Sequence, residues 1–154
     1  MMESLFRNKS LRVRVAALIK DKKGKILLVQ QTKKNSSYWL LPGGGIEFGE
    51  TAEEALQREL KEELSLQVVQ SEFLLLNESI DPLKKKHLVQ LVFQTKVKEL
   101  VPTLSPKEKA ISGFGYFTPK EILDMDLRPN IKKFFSKKAN TQIRYLSSEW
   151  VKET

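Results

Sequence analysis

The chain contains no cysteine, and this absence excludes disulfide bridges and thiolate metal sites. It also lacks an apolar run of the roughly 18 residues or more that a membrane-spanning helix needs. The first ten residues, MMESLFRNKS, have no apolar core of the kind found in a signal peptide. We therefore expect a cytoplasmic protein with no membrane association. The single histidine, His87, opens a predicted strand and is expected to be structural.

The size and composition are those of one globular domain. The 154 residues are 40% hydrophobic and 30% charged, so we take 1–154 as a single domain. Lysine and arginine outnumber aspartate and glutamate by 27 to 19, which gives a formal net charge of +8. A basic surface attracts phosphorylated partners, from nucleotides to RNA. A lysine-rich, solvated surface without such a partner would have the same composition.

The pattern of apolar segments and turn residues predicts a mixed sheet with several helices. Residues 13–19 and 26–29 are apolar on either side of the turn KDKKGK, which predicts a hairpin. A polar loop at 32–37 precedes a short apolar piece at 38–41, and Pro42 with three glycines then breaks the chain. Other predicted strands are 73–76, 87–97 and 113–117, with 141–150 as a final strand or a docked tail. Helices are predicted at 51–64, 119–125 and 129–137, the last two opening with proline.

A run of glutamates follows the glycine turn. Thr51 and Glu54 form a capping-box pattern, and the helix that they open places Glu59, Glu62 and Glu63 on one edge. Like charges at this spacing repel by about 0.2–0.5 kcal/mol per pair, and a hard divalent cation such as Mg²⁺ would offset that repulsion. Ordinary solvated surface also explains such glutamates, but Glu59 and Glu63 lie beside the apolar side of the helix, formed by Leu56, Leu60 and Leu64.

These residues resemble the Nudix box, G-x5-E-x7-R-E-U-x-E-E-x-G-U, where U is a bulky aliphatic residue. The chain meets eight of its nine fixed positions, with Gly44, Glu50, Arg58, Glu59, Leu60, Glu62, Glu63 and Leu66. The departure is Ser65, where the pattern has glycine. A positive φ is common at that position after a helix, and a non-glycine residue there costs on the order of 1 kcal/mol. We expect a slightly altered helix end and intact catalysis.

The resemblance implies an α/β fold, namely a Nudix-type α/β/α sandwich with a mixed sheet and a loop–helix–loop catalytic motif. It also implies that Mg²⁺ or Mn²⁺ supports hydrolysis of a nucleoside diphosphate linked to another group. By the same resemblance, Glu59 and Glu63 are the principal metal ligands. Further metal ligands are Glu62 and the Gly43 carbonyl, whereas orienting roles fall to Glu50 and Arg58.

The general base varies within the family and is sometimes a glutamate outside the box. Glu108, in SPKEKAISGFGYF, is the candidate here, and an exposed loop glutamate is the equally weighted alternative. Gly44 would let the backbone approach the substrate closely.

The leaving group depends on residues outside the box. Pro82 lies 16 residues beyond Leu66, which resembles many ADP-ribose pyrophosphatases, although Asp81-Pro82 is also a plain turn dipeptide. Arg14, with Arg12, would meet phosphates unless it is simply solvated. Candidates for stacking on a purine are Phe6, Tyr38, Phe48 and Phe114.

We therefore expect hydrolysis of ADP-ribose or a nucleotide sugar to a nucleoside monophosphate and a sugar phosphate. The alternatives are a (d)NTP or RNA 5′-end pyrophosphohydrolase, which the basic charge allows, and a non-catalytic Nudix nucleotide sensor. The intact set of box glutamates disfavours the sensor. Relatives in the nucleotide-sugar branch are often homodimers, so a homodimer is expected; RNA is allowed but not favoured as a partner.

Overall fold

A computed structural model describes residues 9–136 and 144–152 of the chain. Its strands are β1 (Ser10–Leu18), β2 (Ile26–Lys33), β3 (Ser36–Leu40), β4 (Gly43–Gly45), β5 (Val68–Ile80), β6 (Lys86–Val97), β7 (Ile111–Phe117) and β8 (Tyr145–Ser148). Its helices are α1 (Ala52–Leu64), α2 (Pro119–Leu123) and α3 (Lys132–Phe135).

The strands form two sheets. A five-stranded sheet has the order β4-β1-β6-β5-β8, and a three-stranded sheet has the order β3-β2-β7. In the larger sheet β1 runs parallel to β6 and β5 runs parallel to β8, whereas the other pairs are antiparallel. The smaller sheet is antiparallel throughout. The mixed sheet expected from the sequence is thus present, with an additional small sheet beside it.

Two hydrophobic cores lie on opposite faces of the sheets. One core packs Leu56, Leu60 and Leu64 of α1 against both sheets. The other packs Ile122 of α2 and Phe135 of α3 against the opposite faces of the same strands. Because successive side chains of a strand point to opposite faces, each buried strand supplies both cores. The α/β/α sandwich expected from the sequence is confirmed.

Helix α1 has the ends that its sequence predicts. The Thr51 side chain accepts a hydrogen bond from the Glu54 N–H at 3.2 Å, and the Glu54 carboxylate accepts one from the Thr51 N–H at 3.1 Å. At the other end Ser65 adopts a left-handed conformation, with φ 55°. Its N–H donates to the Lys61 carbonyl, and the Leu66 N–H donates to the Leu60 carbonyl. The helix therefore still ends at this position, although serine replaces the glycine of the pattern.

The predicted hairpin of residues 13–19 and 26–29 is wrong. Strand β1 lies between β4 and β6, whereas β2 belongs to the smaller sheet, and a single bridge from Lys20 to Ile26 joins their ends. Residues 15–19 and 26–29 are buried on both faces. Such continuous runs are typical of central strands, which need a partner on each side. Here β1 pairs with β4 and β6, and β2 pairs with β3 and β7.

Other predicted bounds also change. The loop predicted at 32–37 shortens to a tight turn because β2 and β3 pair as far as Lys33 and Ser36. The glycines form the short strand β4 beside β1 instead of only a break, and the strand predicted at 73–76 extends to Val68–Ile80. Helix α2 begins at Pro119 as predicted.

The C-terminal elements differ from the prediction in part. The helix predicted at 129–137 begins only at Lys132, and residue 137 lies outside the described residues. Of the segment predicted at 141–150, residues 145–148 form β8, which pairs with β5. Tyr145 of β8 donates to Glu78 of β5 at 3.0 Å, and His87 lies 2.7 Å from the same carboxylate, a structural role for the histidine. Among the described residues, no helix is long and apolar enough to cross a membrane.

Replacing Ser65 with glycine should stabilise the fold. Glycine adopts the left-handed conformation without the Cβ penalty, so we expect the free energy of unfolding to rise by about 1 kcal/mol in urea denaturation. Ser136 also ends a helix, but its φ is −72°, and Ser136→Gly should give no such gain. An unchanged or lower stability of Ser65→Gly would show that the serine conformation carries no strain.

Candidate active site

The site begins where strand β4 meets helix α1. A Cβ atom built on Gly44 would lie 2.5 Å from each carboxylate oxygen of Glu59, a separation that real Cβ contacts do not show. Only glycine at this position lets the Glu59 carboxylate rest against the backbone of the strand. The close approach that the sequence predicted at Gly44 is therefore to a carboxylate of the chain itself.

Gly43 makes a similar approach on the sheet side. Its φ is +154°, and a Cβ atom there would collide with the backbone carbonyl of Val15 on the neighbouring strand. The Gly43 N–H points to the Glu63 carboxylate, with 3.4 Å between nitrogen and oxygen. Strand β4 is thereby fixed between β1 and the carboxylates of the helix.

The Glu63 carboxyl is buried, with 6% of the residue exposed. Burial raises its pKa to about 8, and this effect exceeds the opposing attraction of Arg14. The neighbouring Glu59 carboxylate raises the pKa further, since two carboxylates that share a site repel each other when both are ionised. A buried acid pair of this kind is a favourable place for a cation.

Arg58 holds the remaining carboxylates. Its guanidinium donates to Glu50 at 2.6 and 3.1 Å and to Glu59 at 2.8 Å. It also donates to the Gly45 carbonyl at 3.0 Å and to the more exposed Glu62 at 3.4 Å. The hydrogen bond to Glu50 is the largest cause of a raised Arg58 pKa, and the same bond lowers the pKa of Glu50. Arg58 thus fixes the position of Glu59 from the side opposite Gly44.

The carboxylate oxygens of this site are of the type that a hard divalent cation prefers, but two carboxylates alone do not complete its coordination. Glu59 and Glu63 present carboxylate oxygens side by side at the glycine turn, and Mg²⁺ prefers oxygen ligands. Across the described ranges 9–136 and 144–152, however, no three histidine or acidic side chains converge as a complete metal cluster. Glu62 instead reaches Arg58. A pair of carboxylates with the backbone beside them is therefore the arrangement that would hold the ion.

Arg14 connects this acidic pair to a cleft between the two sheets. Its guanidinium donates to the Leu41 carbonyl and, at 2.8 Å, to the side-chain oxygen of Gln90. Burial lowers the pKa of Arg14, and the carboxylates of Glu63 and Glu59 oppose that shift. An arginine stays charged even so, and Arg14 therefore carries a fixed positive charge between the acids and the cleft.

The cleft has a volume of about 200 Å³. Its walls come from both sheets, from the segment before α3 and from the segment after β8, with Arg12, Arg14, Gln31, Tyr38, Leu40, Ser79, Leu88, Arg128, Pro129, Glu149, Trp150 and Val151. The Arg128 guanidinium lies 4.6 Å from the centre of the Tyr38 ring. Aromatic surface and three arginines suit a planar, anionic ligand. The volume is below the about 300–1,000 Å³ of sites that enclose a drug-sized ligand, so the cleft would enclose only part of a larger ligand.

The predicted residues fall into two groups. The structure brings together Gly43, Gly44, Glu50, Arg58, Glu59, Glu62, Glu63 and Arg14. Glu108 accepts a hydrogen bond from the Ala110 N–H in its own loop at 3.2 Å, and that loop touches α1 through the Ser105 N–H, 3.4 Å from the Glu63 carbonyl. Its role as a general base stays a prediction.

Pro82 lies in the exposed turn between β5 and β6, and it is not among the described residues that line the cleft. Its role in substrate choice stays a prediction. Of the candidate stacking residues, Tyr38 lines the cleft, Phe48 is fully exposed and Phe114 is partly exposed. Phe6 lies outside the described residues.

Sequence reasoning missed several cleft residues. Arg128 and Trp150 reach the cleft through segments distant from the glutamate motif, and no local pattern marks them. Gln90, next to Arg14, did carry a signal. It occupies a buried position of its strand between Leu88 and Val92, where a polar side chain is unexpected.

Comparison with known proteins finds a matching family model and similar structures. A family model described as the NUDIX domain matches residues 10–138. Phosphatase NudJ of Escherichia coli strain K12 is 30% identical over 107 residues, which cover 70% of this chain and 69% of the relative. The MutT protein of Methanosarcina mazei Go1 has a similar structure, with a TM-score of 0.70 and 26% identity over 82% of this chain and 91% of that one. The MutT NUDIX hydrolase of Burkholderia pseudomallei matches with a TM-score of 0.64 and 26% identity, over 73% and 86% of the two chains.

Replacing Gly44 with alanine should displace Glu59. We expect turnover to fall by at least about tenfold, or about 1.4 kcal/mol in activation free energy, together with weaker stabilisation by Mg²⁺ in thermal unfolding. Gly45→Ala is the matched control, since the nearest atom to a Cβ there is 4.0 Å away. Equal activity of the two variants would contradict the role given to the Gly44 contact.

The buried Glu63 should make the stability of the metal-free protein depend on pH. Its pKa is about 8 in the fold and near 4.3 in an unfolded chain, so the folded protein binds the extra proton. The Glu63 contribution to stability is therefore complete below about pH 4 and is lost as the pH rises towards 8 and beyond.

Urea denaturation between pH 5 and 8.5 would measure this loss. We expect Glu63→Gln to remove part of the downward slope, whereas Glu53→Gln, an exposed change on the same helix, should keep it. Identical slopes in all three proteins would refute the raised pKa.

Proposed function

This chain belongs to the Nudix hydrolase family, whose members act on nucleotide derivatives, and we propose that it hydrolyses the diphosphate linkage of ADP-ribose or a nucleotide sugar. The products are a nucleoside monophosphate and a sugar phosphate. The observation that carries the proposal is the buried Glu63 carboxyl beside Glu59, joined through Arg14 to an aromatic, arginine-rich cleft.

Each residue of the acidic site has a defined task in this proposal. Glu59 and Glu63 would hold a divalent ion, Mg²⁺ or Mn²⁺, with the Gly43 carbonyl as a further ligand and Glu62 as another once it leaves Arg58. The bound ion supplies charge neutralisation at the diphosphate and a water acidified for attack on phosphorus. Arg58 and Glu50 are positioning residues, because their mutual hydrogen bonds at 2.6 and 3.1 Å hold Arg58 against Glu59. Glu108 is the candidate for the residue that accepts the proton of the water.

The cleft supports a substrate with a planar group on one side of the diphosphate. Tyr38 and Trp150 offer stacking surfaces, and Arg12 and Arg14 offer positive charge on the side of the cleft formed by β1. Because Arg14 also interacts with Glu59 and Glu63, a ligand in the cleft would extend its phosphates towards the acidic pair. A nucleoside diphosphate derivative matches this order of aromatic surface, positive charge and acidic pair.

A second candidate is the hydrolysis of free nucleoside triphosphates or diphosphates. The relative from E. coli is named a phosphatase, and two structural neighbours are named MutT. The cleft and the acidic pair would serve that reaction with the same residues. A homodimeric assembly and a cytoplasmic location also stay predictions from the sequence.

A substrate panel with Mg²⁺ separates the candidates. It contains ADP-ribose, GDP-mannose, UDP-glucose, dGTP and a 5′-triphosphorylated RNA, with products resolved by chromatography. We expect ADP-ribose or a nucleotide sugar to give a nucleoside monophosphate and a sugar phosphate. Release of pyrophosphate or phosphate from the triphosphates alone would overturn the first proposal in favour of the second.

The role of Glu63 has its own test. Glu63→Gln should lower kcat by about a hundredfold or more, at least about 2.7 kcal/mol, since it removes the carboxyl that would ionise to hold the metal and keeps the side-chain shape. Circular dichroism should be unchanged. Glu53→Gln on the exposed side of α1 should retain wild-type turnover. Full activity of Glu63→Gln would exclude the acidic pair as the reaction centre.

A further inference from the structure

Residues 149–151 form one wall of the cleft, and they come directly after strand β8. Trp150 gives this wall the larger of the two aromatic side chains in the cleft, the other being Tyr38. Within the described ranges 9–136 and 144–152, residues 149–151 make no hydrogen bond or ion pair with the rest of the chain. Because no polar contact of their own holds them, their position depends on β8.

Strand β8 is short and lies at the edge of the larger sheet. Its residues pair with residues 76–79 of β5. Leu146 is buried in the core of α2 and α3, and the Leu76 N–H donates to the Arg144 carbonyl at 2.8 Å. Side-chain contacts between neighbouring strands stabilise such a pairing, and the polar ones that β8 makes converge on Glu78.

The Glu78 carboxylate joins three neighbouring strands. Its Oε1 accepts a hydrogen bond from the Tyr145 hydroxyl of β8 at 3.0 Å, and its Oε2 lies 2.7 Å from Nε2 of His87 on β6. The contact with His87 is the larger cause of a lowered Glu78 pKa, and the contact with Tyr145 is the next. The bond to Glu78 in turn raises the pKa of Tyr145. An ionised carboxylate therefore accepts from a protonated phenol.

Glu78 lies on the face of the sheet opposite the cleft. The next residue of β5, Ser79, lines the cleft together with its register partner Leu88. Since successive side chains of a strand point to opposite faces, Glu78 points away from the cleft. Tyr145 is on the same face as Glu78, whereas Leu146 points to the opposite face. Glu78 therefore does not touch a ligand in the cleft, and its influence there passes through β8.

We propose that Glu78 is a positioning residue for substrate binding, which fixes Tyr145 and so holds β8 with the Trp150 wall at the cleft. The inference rests on the proposed function for the identity of the substrate. It does not rest on that function for the placement of Trp150. Because the acidic pair belongs to α1, loosening β8 should weaken substrate binding and leave the chemical step unchanged.

Two conservative variants and two matched controls test this role. Tyr145→Phe removes one hydroxyl, and Glu78→Gln removes the charge that accepts it. Tyr116→Phe is the control for the hydroxyl, since Tyr116 donates to the Leu100 carbonyl at 2.6 Å, outside the cleft and β8. Glu72→Gln is the control for the charge, because Glu72 is exposed on the same strand as Glu78.

The first measurement is steady-state kinetics with ADP-ribose and Mg²⁺, or with dGTP if only triphosphates react. We expect both test variants to raise KM at least about threefold with kcat within about twofold, and both controls to keep the wild-type KM. A KM equal to that of the wild type in both test variants would overturn the proposal. A KM shift seen with dGTP alone would refute the first proposed reaction and support the positioning role.

The second measurement needs neither substrate nor metal. The chain has two tryptophans, and comparing each variant with and without Trp150→Phe separates the emission of Trp150 from that of Trp39. Acrylamide should quench Trp150 at least about 1.5 times more efficiently in the two test variants than in the wild type, and equally in the controls. A lower melting temperature with unchanged quenching and unchanged KM would show that Glu78 only stabilises the fold.

A double-mutant cycle shows whether the effect passes through Trp150. Trp150→Ala should raise KM at least about fivefold, since it removes the aromatic wall itself. Tyr145→Phe should then add nothing in the Trp150→Ala background, because residues that act through one another have non-additive effects. If the two effects multiply instead, Tyr145 and Glu78 act on binding by another route, and the proposal is wrong.

Discussion

The structure depends on the close approach of a helix to a strand that has no side chains. Strand β4 consists of three glycines, and a Cβ atom at Gly43 or Gly44 would collide with β1 on one side or with Glu59 on the other. This backbone contact brings two carboxylates of α1 to the edge of the sheet. The Gly43 N–H and the fixed Arg58 then hold them there. The acidic pair thus depends on the absence of side chains on strand β4.

Placing two carboxylates in a buried site is costly, and the neighbouring cations decide how much of that cost is offset. Arg58 offsets the repulsion on the outer side through its contacts with Glu50 and Glu59. On the inner side Arg14 attracts Glu63, yet the pKa of Glu63 stays near 8 because burial outweighs that attraction. One more positive charge would therefore stabilise the site further. Arg14 has a second contact, with Gln90, and this contact joins the acidic site to the floor beneath the cleft.

The sequence predicts best what is determined locally. The start and stop of α1, its buried stripe and the position of Glu63 follow from residues within one segment, and the structure agrees. The hairpin of 13–19 and 26–29 was wrong because β1 and β2 pair with other strands, among them β6 and β7 from distant segments. The cleft was hidden for the same reason, since it is assembled from several strands and two loops. Alternation alone would have marked Gln90, which lies between Leu88 and Val92, but not Asn77, which has Ser79 on one side.

The acidic pair and the cleft are thus built from different parts of the chain. Glu59 and Glu63 both come from α1 and rest against the glycine strand, with Arg14 of β1 as a charged neighbour. The cleft, in contrast, takes Tyr38 from one sheet, Arg12 from the other and Trp150 from the segment after β8. Pairing of β8 with β5 is what brings that last segment to the cleft. A protein could therefore keep the acidic pair and differ in the cleft, so similarity in the motif does not by itself determine which ligand the cleft accepts.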